Sequence, residues 1–197
     1  MSLLYACSSN AGKLREFTAQ LVSVSRFDIR PLPGLAEFTP PPEDGATYEE
    51  NAALKAIYYS RFSAELVFAD DSGLEVDALG GAPGIHSARF AGPNANGAQN
   101  NALLLSKLAG VAHRRARFVT AISLARQGKL LQTTLGTATG EILSEPRGVL
   151  GFGYDALFLC PTLGKTFAEL ADAEKFSVSA RGEALRRLFA WLAALPV

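Results

Sequence analysis

The chain is short of the residues on which several common chemistries depend. Two cysteines, Cys7 and Cys160, occur in 197 residues. They lie far apart and each sits inside an apolar run. Buried thiols are the simplest reading; one disulfide would be allowed, but no disulfide framework. The two histidines, His86 and His113, fit neither a Cys/His metal spacing nor a Ser/His/Asp order, which argues against a zinc site and against nucleophilic catalysis. His113 adjoins Arg114, Arg115 and Arg117, which reads as a solvated basic loop. Charge of one sign is missing as well. Nineteen basic residues balance nineteen acidic ones, so no global field exists to hold DNA or RNA, and only a local phosphate pocket is left open. No window approaches the roughly 18 uninterrupted apolar residues of a membrane span. The opening MSLLYACSSNAGK has no basic lead, and its apolar run is too short for a signal peptide. The expectation is a cytoplasmic protein with neither a membrane nor a nucleic-acid partner.

Apolar residues, at 48%, are ample for a core, and the length suits a single domain over 1–197. Residues 2–8 read as an apolar strand, followed by a polar turn and a helix with Leu14, Phe17, Leu21 and Val22 at helical spacing. Five prolines between 28 and 46 imply loop and extended chain. Thr47 and Glu50 have capping-box spacing and open a helix over 48–63. Residues 65–70 read as a buried strand that ends on an acidic pair, and a helix is expected around 98–109. Strands at 116–125 and 129–138 flank Gln127-Gly128, a hairpin signal. A strand at 154–160, a second capping box at Thr166 and Glu169 before a short helix, and a terminal helix over 179–195 complete the reading. In that last helix Leu185, Leu188, Phe189, Leu192 and Leu195 form the stripe, with Trp191 beside it. The alternation predicts an α/β fold with a mixed β-sheet flanked by helices.

Five segments carry polar groups suited to chemistry. Ser8-Ser9-Asn10-Ala11-Gly12-Lys13 is a small turn at a helix start with a lysine in the first turn, which suits an anionic phosphate. It is not a P-loop, since Leu14 follows the lysine, and on this segment alone an N-cap with a solvated lysine is the blander alternative. Asp70-Asp71-Ser72-Gly73 places two carboxylates side by side, where a hard cation such as Mg²⁺ would neutralise them and also bind phosphate oxygens. Glu43 lies in an acidic loop; Asn51 and Lys55, four apart, share a helix face. Gly151-Phe152-Gly153-Tyr154-Asp155 lets backbone approach a flat ligand while a ring stacks on it. Lys175, Ser179 and Arg181 lie at the start of the terminal helix, as anion or base contacts or as caps.

The order of these segments is more specific than any one of them. Ser-x-Asn-x-x-Lys, Glu-Asn-Ala-x-x-Lys-Ala, the run from Ala69 to Gly84, Ser87-Ala88-Arg89, Gly-Phe-Gly-Tyr-Asp and a final Lys-x-x-x-Ser-x-Arg-Gly follow one another. This resembles the inosine/xanthosine triphosphate pyrophosphatase family over Ser8 to Gly182. The resemblance implies hydrolysis of ITP, dITP and XTP to the monophosphate and pyrophosphate with Mg²⁺. It also implies an elongated fold with two lobes around a central substrate cleft, and a homodimer. It further implies that Asp71 is the catalytic proton acceptor, and that Glu43, Asp71 and Asp70 serve the metal. The phosphate turn would be Ser8, Ser9, Asn10, Ala11, Gly12 and Lys13, with Lys55 as a further phosphate contact. Ser72 would touch substrate, Phe152, Gly153, Tyr154 and Asp155 would recognise the base, and Lys175 and Arg181 would form the pocket's far wall. One departure is Ala180, where the family reads histidine; another is His86, where an aromatic is usual. Both bear on base selectivity rather than on reaction type. Two other readings remain: a related pyrophosphatase acting on modified pyrimidine nucleotides, and a nucleotide-binding regulator without catalysis.

Overall fold

The computed structural model describes residues 2–19 and 27–194. Twelve regular elements follow in order: β1 (Ser2–Cys7), α1 (Ala11–Ala19), β2 (Phe27–Pro31), α2 (Tyr48–Tyr59), β3 (Leu66–Val76), α3 (Gly97–Lys107), β4 (Arg115–Arg126), β5 (Lys129–Ile142), β6 (Phe158–Cys160), β7 (Lys165–Thr166), α4 (Asp172–Val178) and α5 (Ala180–Ala193). The strands form one seven-stranded sheet in the order β2-β1-β3-β4-β5-β6-β7. β1 pairs in parallel with β2 and β3, and every other pairing is antiparallel. The expected mixed sheet with flanking helices is therefore present. Among the described residues no helix is long and apolar enough to cross a membrane.

Local chemistry accounts for the boundaries that the sequence reads well. The Thr47 side chain accepts from the Glu50 N–H and opens α2. Glu50 reaches back to the Ala46 N–H rather than to Thr47, so only half of a reciprocal box forms. Thr166 and Glu169 make the complete box, before a 3₁₀ turn rather than an α-helix. Gln127 (φ 50°) and Gly128 (φ 78°) both take left-handed backbone, the turn that matches strand twist between β4 and β5. Within the proline-rich stretch one segment, β2, does join the sheet, at its edge, where a terminal proline is tolerated. The strand expected at 154–160 begins only at Phe158, because the chain before it turns on Tyr154, whose carbonyl accepts from both Leu157 and Phe158 N–H. The helical positions Leu21, Val22 and Leu195 lie outside the described residues.

The sheet is covered on both faces. Leu4, Ala6, Phe68, Ile122 and Leu124 pack against Phe17 of α1 and against Ala184, Leu185, Leu188, Phe189 and Leu192 of α5; Trp191 adds a partly buried edge. On the opposite face Cys7, Val67, Ala69 and Ala125 meet Ala56 and Tyr59 of α2. Both cysteines are buried free thiols. Arg114 is no solvated loop residue: its guanidinium donates to the carbonyls of Leu108, Ile142 and Leu143 and closes that end of the sheet. A third cluster, around Leu74, Leu104, Phe158 and Phe167, fills the far end. Successive strand side chains point to opposite faces. Phe68 and Val67 already obey that rule, and the two residues of the acidic pair must do the same.

Candidate active site

β3 does not stop at the acidic pair. It runs through Asp70, Asp71, Ser72 and Gly73 in register with β4, opposite Ile122, Ala121, Thr120 and Val119. A Cβ on Gly73 would stand 2.2 Å from the Gly84 carbonyl oxygen, so glycine lets the following loop cross directly over the strand. The pair is thus held by ladder hydrogen bonds in the floor of a cleft of about 650 Å³.

The pleat then divides the pair. Asp70 faces α1 and α5: its Oδ2 lies 3.0 Å from Lys13 Nζ and 3.3 Å from an Arg181 amino nitrogen, and it accepts from the Ser72 hydroxyl at 3.0 Å. Thr120 donates to Ser72 in turn. Asp71 faces α2, where Asn51 Nδ2 and Lys55 Nζ each approach one of its oxygens at 3.3 Å. Lys55 Nζ also lies 3.0 Å from Glu43 Oε1, so one ammonium is shared by two carboxylates from different segments. Burial raises a carboxyl's pKa and cations lower it. At Asp70 burial is outweighed by Lys13, Arg181 and Lys55, and the group is held well below the usual carboxylate range. At Asp71 burial prevails over Lys55 and Lys13, aided by Glu43 and Asp70, and the group is pushed up. Lys13 is lowered by burial and by neighbouring Arg181 and Lys55, against the pull of Asp70.

A second ionic chain runs behind the cleft. Lys175 of α4 is buried, with its ammonium 2.5 Å from Asp155 and 2.6 Å from Glu16. Arg181 of α5 reaches Glu16 with one amino group and Asp70 with the rest of its fork. Burial would raise Glu16, but Arg181 and Lys175 hold it below its usual value. Asp155 is raised by burial despite Lys175. The corner between α4 and α5 is tight: the Ser179 hydroxyl accepts from Gly182 N–H, and a Cβ on Gly136 would lie 2.1 Å from the Ala180 carbonyl oxygen, so β5 lets the first turn of α5 rest on it. Phe152 lies under both cations, its ring centre 4.8 Å from Lys175 Nζ and 5.7 Å from the Arg181 guanidinium carbon. Its ring also presses on the phosphate-type turn, for a Cβ on Gly12 would stand 2.3 Å from it.

A cleft with a carboxylate pair on its floor, ammonium groups on one side and an aromatic ring on the other is what a nucleotide polyphosphate requires. The model of the Ham1 family matches residues 4–191. The chain belongs to the Ham1 family. A protein of an Exiguobacterium species (strain AT1b) named dITP/XTP pyrophosphatase is 49% identical over 188 residues, covering 95% of each chain. One from Acidobacterium capsulatum with the same name is 48% identical, over 96% of this chain and 97% of its own. The solved Ham1 protein of Staphylococcus aureus superposes with a TM-score of 0.84 at 38% identity over 98% of both chains.

Within this Ham1-family cleft most of the expected residues gather. Ser8, Ser9, Asn10, Lys13, Glu43, Lys55, Asp70, Asp71, Ser72, Phe152, Gly153, Tyr154, Asp155, Lys175 and Arg181 all line it, while Ala11 and Gly12 do not. Asn10 Oδ1 accepts from the Gly12 and Lys13 N–H groups, so those donors are taken within the chain. The blander N-cap reading holds for the backbone, but Lys13 is paired rather than solvated. Tyr154 is anchored: it is buried and donates its hydroxyl to the Ser87 carbonyl at 2.8 Å. Asp70 sits with cations on the face opposite Glu43 and Asp71. Among the described residues no three His, Cys, Asp or Glu side chains converge, and the carboxylates that share a cation at the α2 side are two, Glu43 and Asp71. Glu16 was missed from sequence. It recurs on the α1 face one turn after Lys13, but its partners lie 159 and 165 positions away along the chain.

Proposed function

We propose that this chain hydrolyses the nonstandard purine nucleoside triphosphates ITP, dITP and XTP to the monophosphate and pyrophosphate, clearing them from the nucleotide pool. The names of its relatives support the substrate class. The observation that carries the reaction is the divided acidic pair: adjacent carboxyls whose surroundings push their pKa values apart mark one fixed charge and one proton acceptor. Asp70 is the fixed charge, holding Lys13 and Arg181 in place. Asp71, raised and open to the cleft, takes the proton of the water that attacks the α-phosphorus in line.

The donor set fits Mg²⁺: Glu43 and Asp71, two hard carboxylates already sharing one cation, would hold it. When bound, the ion supplies charge neutralisation on the phosphates and a more acidic water. Lys13 and Lys55 offset charge on the departing pyrophosphate. Asn51, donating to Asp71, orients its carboxylate. At the other end Phe152 offers a stacking face. Four of the five N–H groups of Arg181 are engaged by Glu16, Asp70 and Ser72, which leaves one for an acceptor on the purine. The first N–H groups of α5, at Ala180 and Arg181, are further donors. Inosine and xanthosine carry a carbonyl at the 6-position and adenosine an amino donor; a donor-lined pocket therefore opposes adenosine. A homodimer and a cytoplasmic location go with this reading. It is tested by pyrophosphate release from ITP, XTP, dITP, GTP and ATP with Mg²⁺. ITP and XTP turning over far faster than ATP supports it; binding without release would indicate a regulator, and a preference for modified pyrimidines a different pyrophosphatase.

A further inference from the structure

The Ser87-Ala88-Arg89 segment has no part in the reading above, yet Arg89 lines the cleft. It closes a 3₁₀ turn, Gly84–Arg89, laid across β3. The backbone on both sides of it is pinned by buried polar groups. Ser87 Oγ accepts from Leu74 N–H at 2.8 Å and donates to the Gly84 carbonyl at 2.6 Å. Asn100 of α3 donates to the Ala88 carbonyl at 3.0 Å and accepts from Ala91 N–H at 2.9 Å. Ser87 and Asn100 are 7% and 4% exposed, so the hydrogen bonds that pin the turn are shielded from water.

Among the described residues, what this turn presents is a charge without a counterion. The other four cations at the cleft are answered: Lys13 by Asp70, Lys55 by Glu43 and Asp71, Lys175 by Asp155, Arg181 by Glu16 and Asp70. Among the described residues the half-buried Arg89 side chain meets no carboxylate and makes no hydrogen bond. Without it, the four carboxylates that line the cleft, Glu43, Asp70, Asp71 and Asp155, already match its four other cations, and no uncommitted positive charge would meet an entering polyanion. A guanidinium is planar, always charged and suited to bidentate phosphate recognition. Holding it on a fixed turn lowers the entropy lost when it binds.

We propose that Arg89 is a substrate-binding residue that grips the phosphate chain of the nucleotide, as the one cleft cation among the described residues not already committed to the protein. This rests on the nucleotide reading of the same cleft. The test uses the full chain with Mg²⁺ and the variants R89M, which keeps length without charge, and R89K. Losing a charged hydrogen-bond partner predicts a roughly 10- to 100-fold drop in kcat/KM for ITP in R89M, with R89K recovering part of it. Inhibition of ITP turnover by inorganic pyrophosphate should weaken by a similar factor. Inhibition by inosine, which has the base but no phosphate, should stay within about twofold, and the melting temperature should not move. R89M within about threefold of wild type for ITP, or equal weakening of pyrophosphate and inosine, overturns the proposal. If wild type releases no pyrophosphate from ITP, the functional reading fails separately. Pyrophosphate binding to wild type and R89M by calorimetry then decides on Arg89: weaker binding by R89M supports it, and equal binding overturns it.

Discussion

Glu16→Gln removes the anion that joins the two cations behind the base end of the cleft. Glu16 contacts Lys175 Nζ at 2.6 Å and also pairs with Arg181, with all three side chains largely buried. Deleting one member of a buried ion pair costs about 3–5 kcal/mol, because a desolvated charge is left behind. Here neither cation is fully orphaned, since Lys175 keeps Asp155 at 2.5 Å and Arg181 keeps Asp70 at 3.3 Å. The lower end therefore applies, about 3 kcal/mol, or roughly 6–12 °C in Tm for a chain of this size. Glutamine is nearly isosteric, so the loss reports charge and not a cavity. The sign with pH follows from the depressed Glu16 pKa: its stabilisation is complete above the unfolded carboxylate value and fades as pH falls through the lower folded value. Urea denaturation of wild type and E16Q across that range should show curves far apart near neutrality that converge on acidification. A difference below about 0.5 kcal/mol at neutral pH would refute the ionic account, because that is what an ordinary surface substitution gives.

Further outcomes follow from the same geometry. Gly12→Ala places a methyl within the Phe152 ring's space, 2.3 Å from it, so the ring must move; an overpacking cost of about 1–3 kcal/mol should surface as a raised KM for ITP, read by steady-state kinetics. Ala180→His adds a donor at the first turn of α5 and should change the ratio of kcat/KM for ITP and GTP roughly tenfold; an unchanged ratio removes Ala180 from selectivity. Because the Asp71 pKa is raised, protons compete with a cation there at higher pH than at an ordinary aspartate. Mg²⁺ affinity measured by calorimetry should fall on acidification from that higher pH, with proton release on binding.

Much of this architecture is legible in the sequence, and what is not has physical reasons. Capping residues at Thr47 and Thr166, the Gln127-Gly128 turn and the alternating strands act locally, so local pattern reveals them. β3 was read as ending at Asp70 because two carboxylates look like a turn; long-range pairing with β4 overrides that preference. Adjacency in sequence also concealed that Asp70 and Asp71 point to opposite faces and so have different partners. The short helix expected after Thr166 is a 3₁₀ turn followed by α4, and Ser179, extended at ψ 154°, separates α4 from the terminal helix. Glu16 could not be assigned from its neighbours, since its role is set by Lys175 and Arg181 at the other end of the chain.

The most direct test of the central claim compares wild type and Asp71→Asn for pyrophosphate release from ITP with Mg²⁺, alongside ITP binding and Tm. Loss of the proton acceptor predicts a fall in kcat of roughly a thousandfold or more, with the fold intact. Turnover by Asp71→Asn within a few-fold of wild type would contradict the account.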